Sequence, residues 1–131
     1  MAWLVAVGAK RIETRPHSTR YRGPLAIHAA AAPAAATDPY HRRVLSEGGL
    51  NPDRLPGGVV VALCRLADCR GITAAQCPCY PEYAFGRFVP GWYAWHLADV
   101  RALDTPVPAR GHAGLWRWQP GKHLLEESQH G

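Results

Sequence analysis

Residues 59–66, Val59-Val60-Val61-Ala62-Leu63-Cys64-Arg65-Leu66, follow Gly57-Gly58 and constrain the fold more than any other stretch. The run is apolar at successive positions and rich in β-branched residues, which suits a strand covered on both faces. A strand of that kind needs neighbours, and the chain offers several. Lys10–Arg15 reads as a short strand and Pro16–Arg22 as a polar loop. Leu25–Ala29 reads as a second strand. Trp92–Leu103 reads as a long strand with Tyr93, Trp95 and Leu97 on one face and Trp92, Ala94 and His96 on the other. Pro106 and Pro108 are expected to end it, and Gly114–Trp118 to supply a closing strand.

Helical signals are fewer. Ala2–Val7 reads as a short helix stopped by Gly8. Thr37-Asp38-Pro39 places a capping side chain ahead of a first-turn proline, and the helix it opens should reach Gly48-Gly49. Pro33 cuts the alanine run of residues 29–36, which therefore reads as a linker. Residues 70–90 read as irregular, and the tail 119–131 as disordered. Many short strands, few helices and no alternation of the two favour a small barrel over an α/β sheet.

The length of 131 residues accommodates one domain. No run approaches the roughly 20 apolar residues of a membrane span. The opening Met1–Val7 lacks the basic start of a secretory signal. A cytoplasmic location with reduced cysteines is expected, and no membrane partner. The formal net charge is +5, carried almost wholly by arginine, since Lys10 and Lys122 are the only lysines. Guanidinium groups match phosphate and stack on bases, which suits a nucleic-acid partner.

The order Gly8-x-Lys10-x-x-Glu13-x-Arg15, then Tyr21-Arg22-Gly23-x-Leu25-x-Ile27-His28-Ala29, resembles the signature of the ASCH family. Further landmarks follow in the family's order. They are Gly58-Val59-Val60 with Leu66-Ala67-Asp68-Cys69, then Trp95-x-Leu97-x-Asp99-Val100 with Pro106-Val107-Pro108, and finally Gly111–Trp116. The resemblance implies one ASCH domain over residues 1–118. Its implied fold is α+β and mainly β: a PUA-like mixed β-barrel with one or two short helices packed at its ends. Relatives carry a strand and a Pro-Trp pair ahead of the first helix. Met1 stands where that tryptophan is expected. The resemblance thus implies a missing first strand, or a natural start upstream of Met1, and the second is preferred.

Many members of this superfamily handle RNA or modified nucleosides. The implied partner is RNA or a modified nucleotide or nucleoside, held in a cleft between residues 10–15 and the strand around Trp95. Glu13 and Arg15, two apart on a strand, share a face and can pair. Lys10 and Arg15 would hold phosphate or a base carbonyl, and Glu13 would orient Lys10 or accept from a base edge. His17, Arg20, Tyr21 and Arg22 add the mixture of cations and a ring that single strands favour. Arg11 belongs to the same set.

Two enzymatic alternatives follow from the resemblance, with Lys10 and Glu13 as the catalytic candidates. One ASCH branch deacetylates N4-acetylcytidine with a lysine that activates a threonine three residues on. Here that position is Glu13, and Thr14 would face the other way. Other members are described as ribonucleases; His17 or His28 would then take the 2′-hydroxyl proton. His28, in an apolar strand, reads better as a core residue. A third alternative is a protein-interaction module, signalled by an exposed patch at Phe88 and Trp92. Cys64, Cys69, Cys77 and Cys79 have poor spacing for zinc, so no metal and no cofactor is expected.

Overall fold

The computed structural model describes residues 2–31 and 37–110. Gly8, at φ +84°, ends helix α1 (Ala2–Ala6) by taking a left-handed turn. The turn lets the amides of Ala9 and Lys10 both reach back to the Leu4 carbonyl. Strands β1 (Ile12–Arg15) and β2 (Gly23–Ala29) follow. Helix α2 (Pro39–Glu47) opens on Asp38, whose carboxylate accepts from the amides of Tyr40 and His41 at 2.8 and 3.0 Å. Strands β3 (Val59–Gly71) and β4 (Tyr93–Pro108) complete the described elements. Short 3-10 turns at Ala74–Gln76 and Glu82–Phe85 interrupt the loop between them.

The four strands form one antiparallel sheet in the order β1-β4-β3-β2. The apolar run at residues 59–66 is the start of an inner strand, as its composition suggested. Val61 and Ala62 pack with Trp3 and Leu4 of α1, Leu45 of α2 and Phe85. Val60 and Leu63 pack instead with Ala26, Leu103 and Val107. Register shifts at three places along β3 and β4 break strict alternation, so this one strand feeds several clusters.

Three expectations need correction. The expected barrel is not closed: among the described residues β1 and β2 are free sheet edges. Helix α1 touches β2, β3, β4 and α2, and Leu45 of α2 packs on Val61 and Ala62 of β3. Pro106 does not end β4, which runs through it and stops at Pro108. β1 covers only Tyr93–His96, so the far half of β4 has a partner on one side alone among the described residues. A missing amide is tolerated on such an edge. β3 is also longer than its apolar segment, because the polar stretch Arg65–Gly71 keeps pairing with β4.

The expected closing strand at Gly114–Trp118, the tail 119–131 and most of the alanine linker lie outside the described residues. No described helix is long and apolar enough to cross a membrane.

Candidate functional site

β1 lies directly beside β4, with Glu13 opposite Trp95 and Arg15 opposite Tyr93. No cleft therefore separates residues 10–15 from the Trp95 strand; they build one continuous face. Trp95, 4% exposed, forms its floor with Leu25, Cys64, Leu66 and Leu97 beneath. Its indole N–H donates to the His17 carbonyl at 3.2 Å. The His17 ring meets the indole edge-on at 5.8 Å, and the Arg15 guanidinium stands 6.0 Å from the same ring.

Lys10 lies just before β1, where the α1 turn delivers it inward, and is only 2% exposed. Its Nζ donates to Glu13 Oε1 at 3.3 Å. Glu13 thus pairs with Lys10; the expected Glu13–Arg15 pair is not made, since Arg15 is turned over Trp95. Burial works against the Glu13 carboxylate, but the charges of Lys10 and Arg15 and the Lys10 hydrogen bond outweigh it. Its pKa falls below the ordinary 4.5.

The arginine loop divides. The Arg22 guanidinium donates to the Thr19 and Tyr21 carbonyls at 3.0 and 2.8 Å and stands 3.7 Å from Asp68, so it holds the loop in shape. Tyr21 packs against the Trp95 cluster, its hydroxyl donates to the Pro24 carbonyl, and burial raises its pKa. Arg20 is exposed. The structure therefore gathers Lys10, Glu13, Arg15 and His17 around Trp95, with Tyr21 and Arg22 as the loop's supports.

Other candidates sit elsewhere. His28 Nε2 lies 2.8 Å from the Ala109 carbonyl on β2, apart from this face. Thr14 is buried, and its Oγ1 accepts from the Arg87 amide at 2.9 Å, so its hydroxyl is turned away from Lys10. Phe88 is buried, at 5% exposed, and Trp92 is half-buried beneath the Arg87 guanidinium; the exposed patch considered there is not formed. Cys64 is buried, which pushes its thiol up to about 12, while Cys79 is exposed. Among the described residues no three potential metal ligands converge.

Glu82 is a site element that the sequence reading missed. Its carboxylate accepts from the amide of Arg11 at 2.9 Å and of Ile12 at 2.6 Å, tying the loop to the β1 edge. It is the sole carboxylate between Asp68 and Asp99, a signal that could have singled it out. Beside this clamp an open groove of about 590 Å³ is lined by Arg11, Cys79, Glu82 and His96 among others.

The family model for the ASCH domain matches residues 1–107, and the chain belongs to the ASCH domain family. No curated protein matches the chain.

Proposed function

We propose that this ASCH-domain protein binds a nucleotide unit, within RNA or as a free modified nucleotide or nucleoside, on the face around Trp95. The observation that carries this is the buried Lys10 ammonium, ion-paired to Glu13 beside a ring that also carries Arg15 and His17. An ammonium has three donors, and among the described residues Glu13 is its hydrogen-bond partner. The Glu13 carboxylate, one-quarter exposed, suits an amino edge, and the enclosed Lys10 holds it in place. Arg15 is exposed and supplies a planar phosphate-binding fork. Arg20, also exposed, adds to the field.

The test is binding of fluorescent single-stranded RNA at low and high salt, comparing wild type, Arg15→Ala and Lys10→Ala, with the RNA then run on a gel. Expected is salt-sensitive binding that weakens in both variants and leaves RNA intact, because phosphate contacts release counterions. A panel of modified nucleosides serves as the second arm and separates a free ligand from a strand. Failure of the wild type to bind in either arm overturns the reading.

A second reading, RNA hydrolysis, draws support from His17, whose imidazole shares the Trp95 ring with the Arg15 cation. A base beside a phosphate-steadying group is what 2′-hydroxyl attack needs. Cleaved RNA with wild type alone would favour it. The acylated-cytidine reading lacks its nucleophile here, since Thr14 faces Arg87.

A further inference from the structure

The loop between β3 and β4 carries aromatic rings that the Trp95 face does not use. Phe85 is buried at the junction of α1 and α2, 5% exposed. Tyr40, in the first turn of α2, stacks on it with centroids 5.6 Å apart and planes at 14°. Tyr80 lies on Tyr40 at 5.3 Å, tilted by 37°, and is itself 67% exposed. The three rings form a column that starts in the core and ends in solvent. The Arg43 guanidinium stands 5.5 Å from the middle ring.

A lone exposed ring is ordinary on a protein surface. This one is braced from behind by Tyr40, itself stacked on buried Phe85, so little side-chain freedom remains to be lost when something stacks on it. Tyr80 stands beside the groove without lining it. Its chain neighbours Cys79 and Pro81 both line the groove, whose other wall holds Arg11, next to Lys10. The nearby carboxylates are already engaged: Glu82 with the β1 amides, Asp38 with the α2 amides and Glu47 with Arg43. Arg11 is exposed and brings a guanidinium to the groove, where the Glu82 carboxylate is held by the β1 amides.

We infer that Tyr80 is a base-stacking platform for a further nucleotide of a single-stranded RNA, the strand running along the Arg11 groove from the Lys10–Glu13–Arg15 site. The inference rests on the nucleotide-binding reading and deepens it: the ligand is a strand rather than a free nucleoside. The combination of an exposed braced ring with flanking guanidinium groups is what sequence-tolerant single-strand binding uses.

The experiment measures affinity of the full chain for a mononucleotide, a dinucleotide and an octanucleotide RNA, in wild type, Tyr80→Ala, Tyr80→Phe and Arg11→Ala. Expected is affinity that rises with length in wild type. Tyr80→Ala should lose about tenfold on the octanucleotide and nothing on the mononucleotide. Tyr80→Phe should retain the wild-type value, and Arg11→Ala should flatten the salt dependence on the octanucleotide. Octanucleotide binding untouched by Tyr80→Ala overturns this inference and leaves the Trp95-face reading standing. A wild type that binds no nucleic acid or nucleoside overturns both, and the tyrosine column is then a protein-facing surface.

Discussion

Lys10 and Glu13 form an ion pair at 3.3 Å in which the lysine is almost wholly enclosed and the carboxylate is about one-quarter exposed. The two ends therefore tolerate loss of their partner differently. In Glu13→Gln an ammonium is left buried without a counter-charge, which costs about 2–3 kcal/mol after discounting for the open carboxylate side. In Lys10→Met the volume is kept and the surviving carboxylate turns to water, so the cost is expected to be about 1 kcal/mol or less. Denaturant unfolding of the two variants checks the order; equal losses would mean that the pair behaves as a surface bridge.

The same pair sets a pH dependence. The Glu13 pKa is lowered in the folded state, so the unfolded chain binds its proton more readily. This contribution to stability is complete above the unfolded value near 4.5 and is lost as pH falls through the lower folded value. The stability gap between wild type and Glu13→Gln should accordingly be widest at neutral pH and close as pH falls from 4.5 through the lower folded value. A gap that stays constant into acid would contradict the assignment of the carboxylate as the stabilising charge.

Close approach of the two helices makes a second site sensitive. A Cβ added at Gly48 would lie 2.7 Å from Val7 Cγ1 and 2.9 Å from Val7 Cβ. Gly48 has φ −80°, so backbone strain plays no part and the cost is purely steric. Gly48→Ala should destabilise by about 1–3 kcal/mol. Adding Val7→Ala removes the Cγ1 contact but keeps the Cβ at 2.9 Å, so it should recover only part of that loss, which thermal unfolding of the double variant would reveal.

The parts of this fold that were legible in the sequence are those written by local chemistry. Gly8 ends α1, Asp38 caps α2, and β-branched residues after Gly57-Gly58 begin the inner strand, each through groups a few residues apart. The extents of β3 and β4 were not legible, because they depend on which backbone edge faces a partner. Pro106 reads as a breaker, yet β4 runs through it to Pro108, because β1 pairs only with Tyr93–His96 and that edge of β4 needs no N–H there. At the site, alternation correctly put Glu13 and Arg15 together and Thr14 on the other face. It could not place Lys10, which precedes the strand in a helix-ending turn, nor Glu82, whose partners lie about 70 residues away.

That distant clamp should be visible in amide exchange. Glu82 Oε1 takes both the Arg11 and the Ile12 amides, and hydrogen bonds to a charged group are worth about 1.5–3 kcal/mol. Glu82→Ala should speed exchange of those two amides by at least about tenfold while Leu97, bonded to the Arg11 carbonyl, changes less. Glu82→Gln retains an accepting oxygen and should retain most of the protection. Unchanged exchange in Glu82→Ala would show that β1 is held by β4 alone.

Thiol chemistry provides a probe of the folded sheet. Cys64 sits in the packed layer under Trp95, and burial alone raises its thiol to about 12, so both access and thiolate are scarce near neutral pH. Cys79 is exposed at the rim of the groove. Thiolate is the reacting form, so an alkylating reagent at pH 8 should label Cys79 first and leave Cys64 untouched until the protein unfolds. Mass spectrometry of the labelled peptides over a denaturant series would follow the two sites separately. Cys64 labelling should track the global transition, because its strand pairs on both sides and opens only with the sheet. Labelling of Cys64 well below that transition would mean that β2 detaches from β3 on its own.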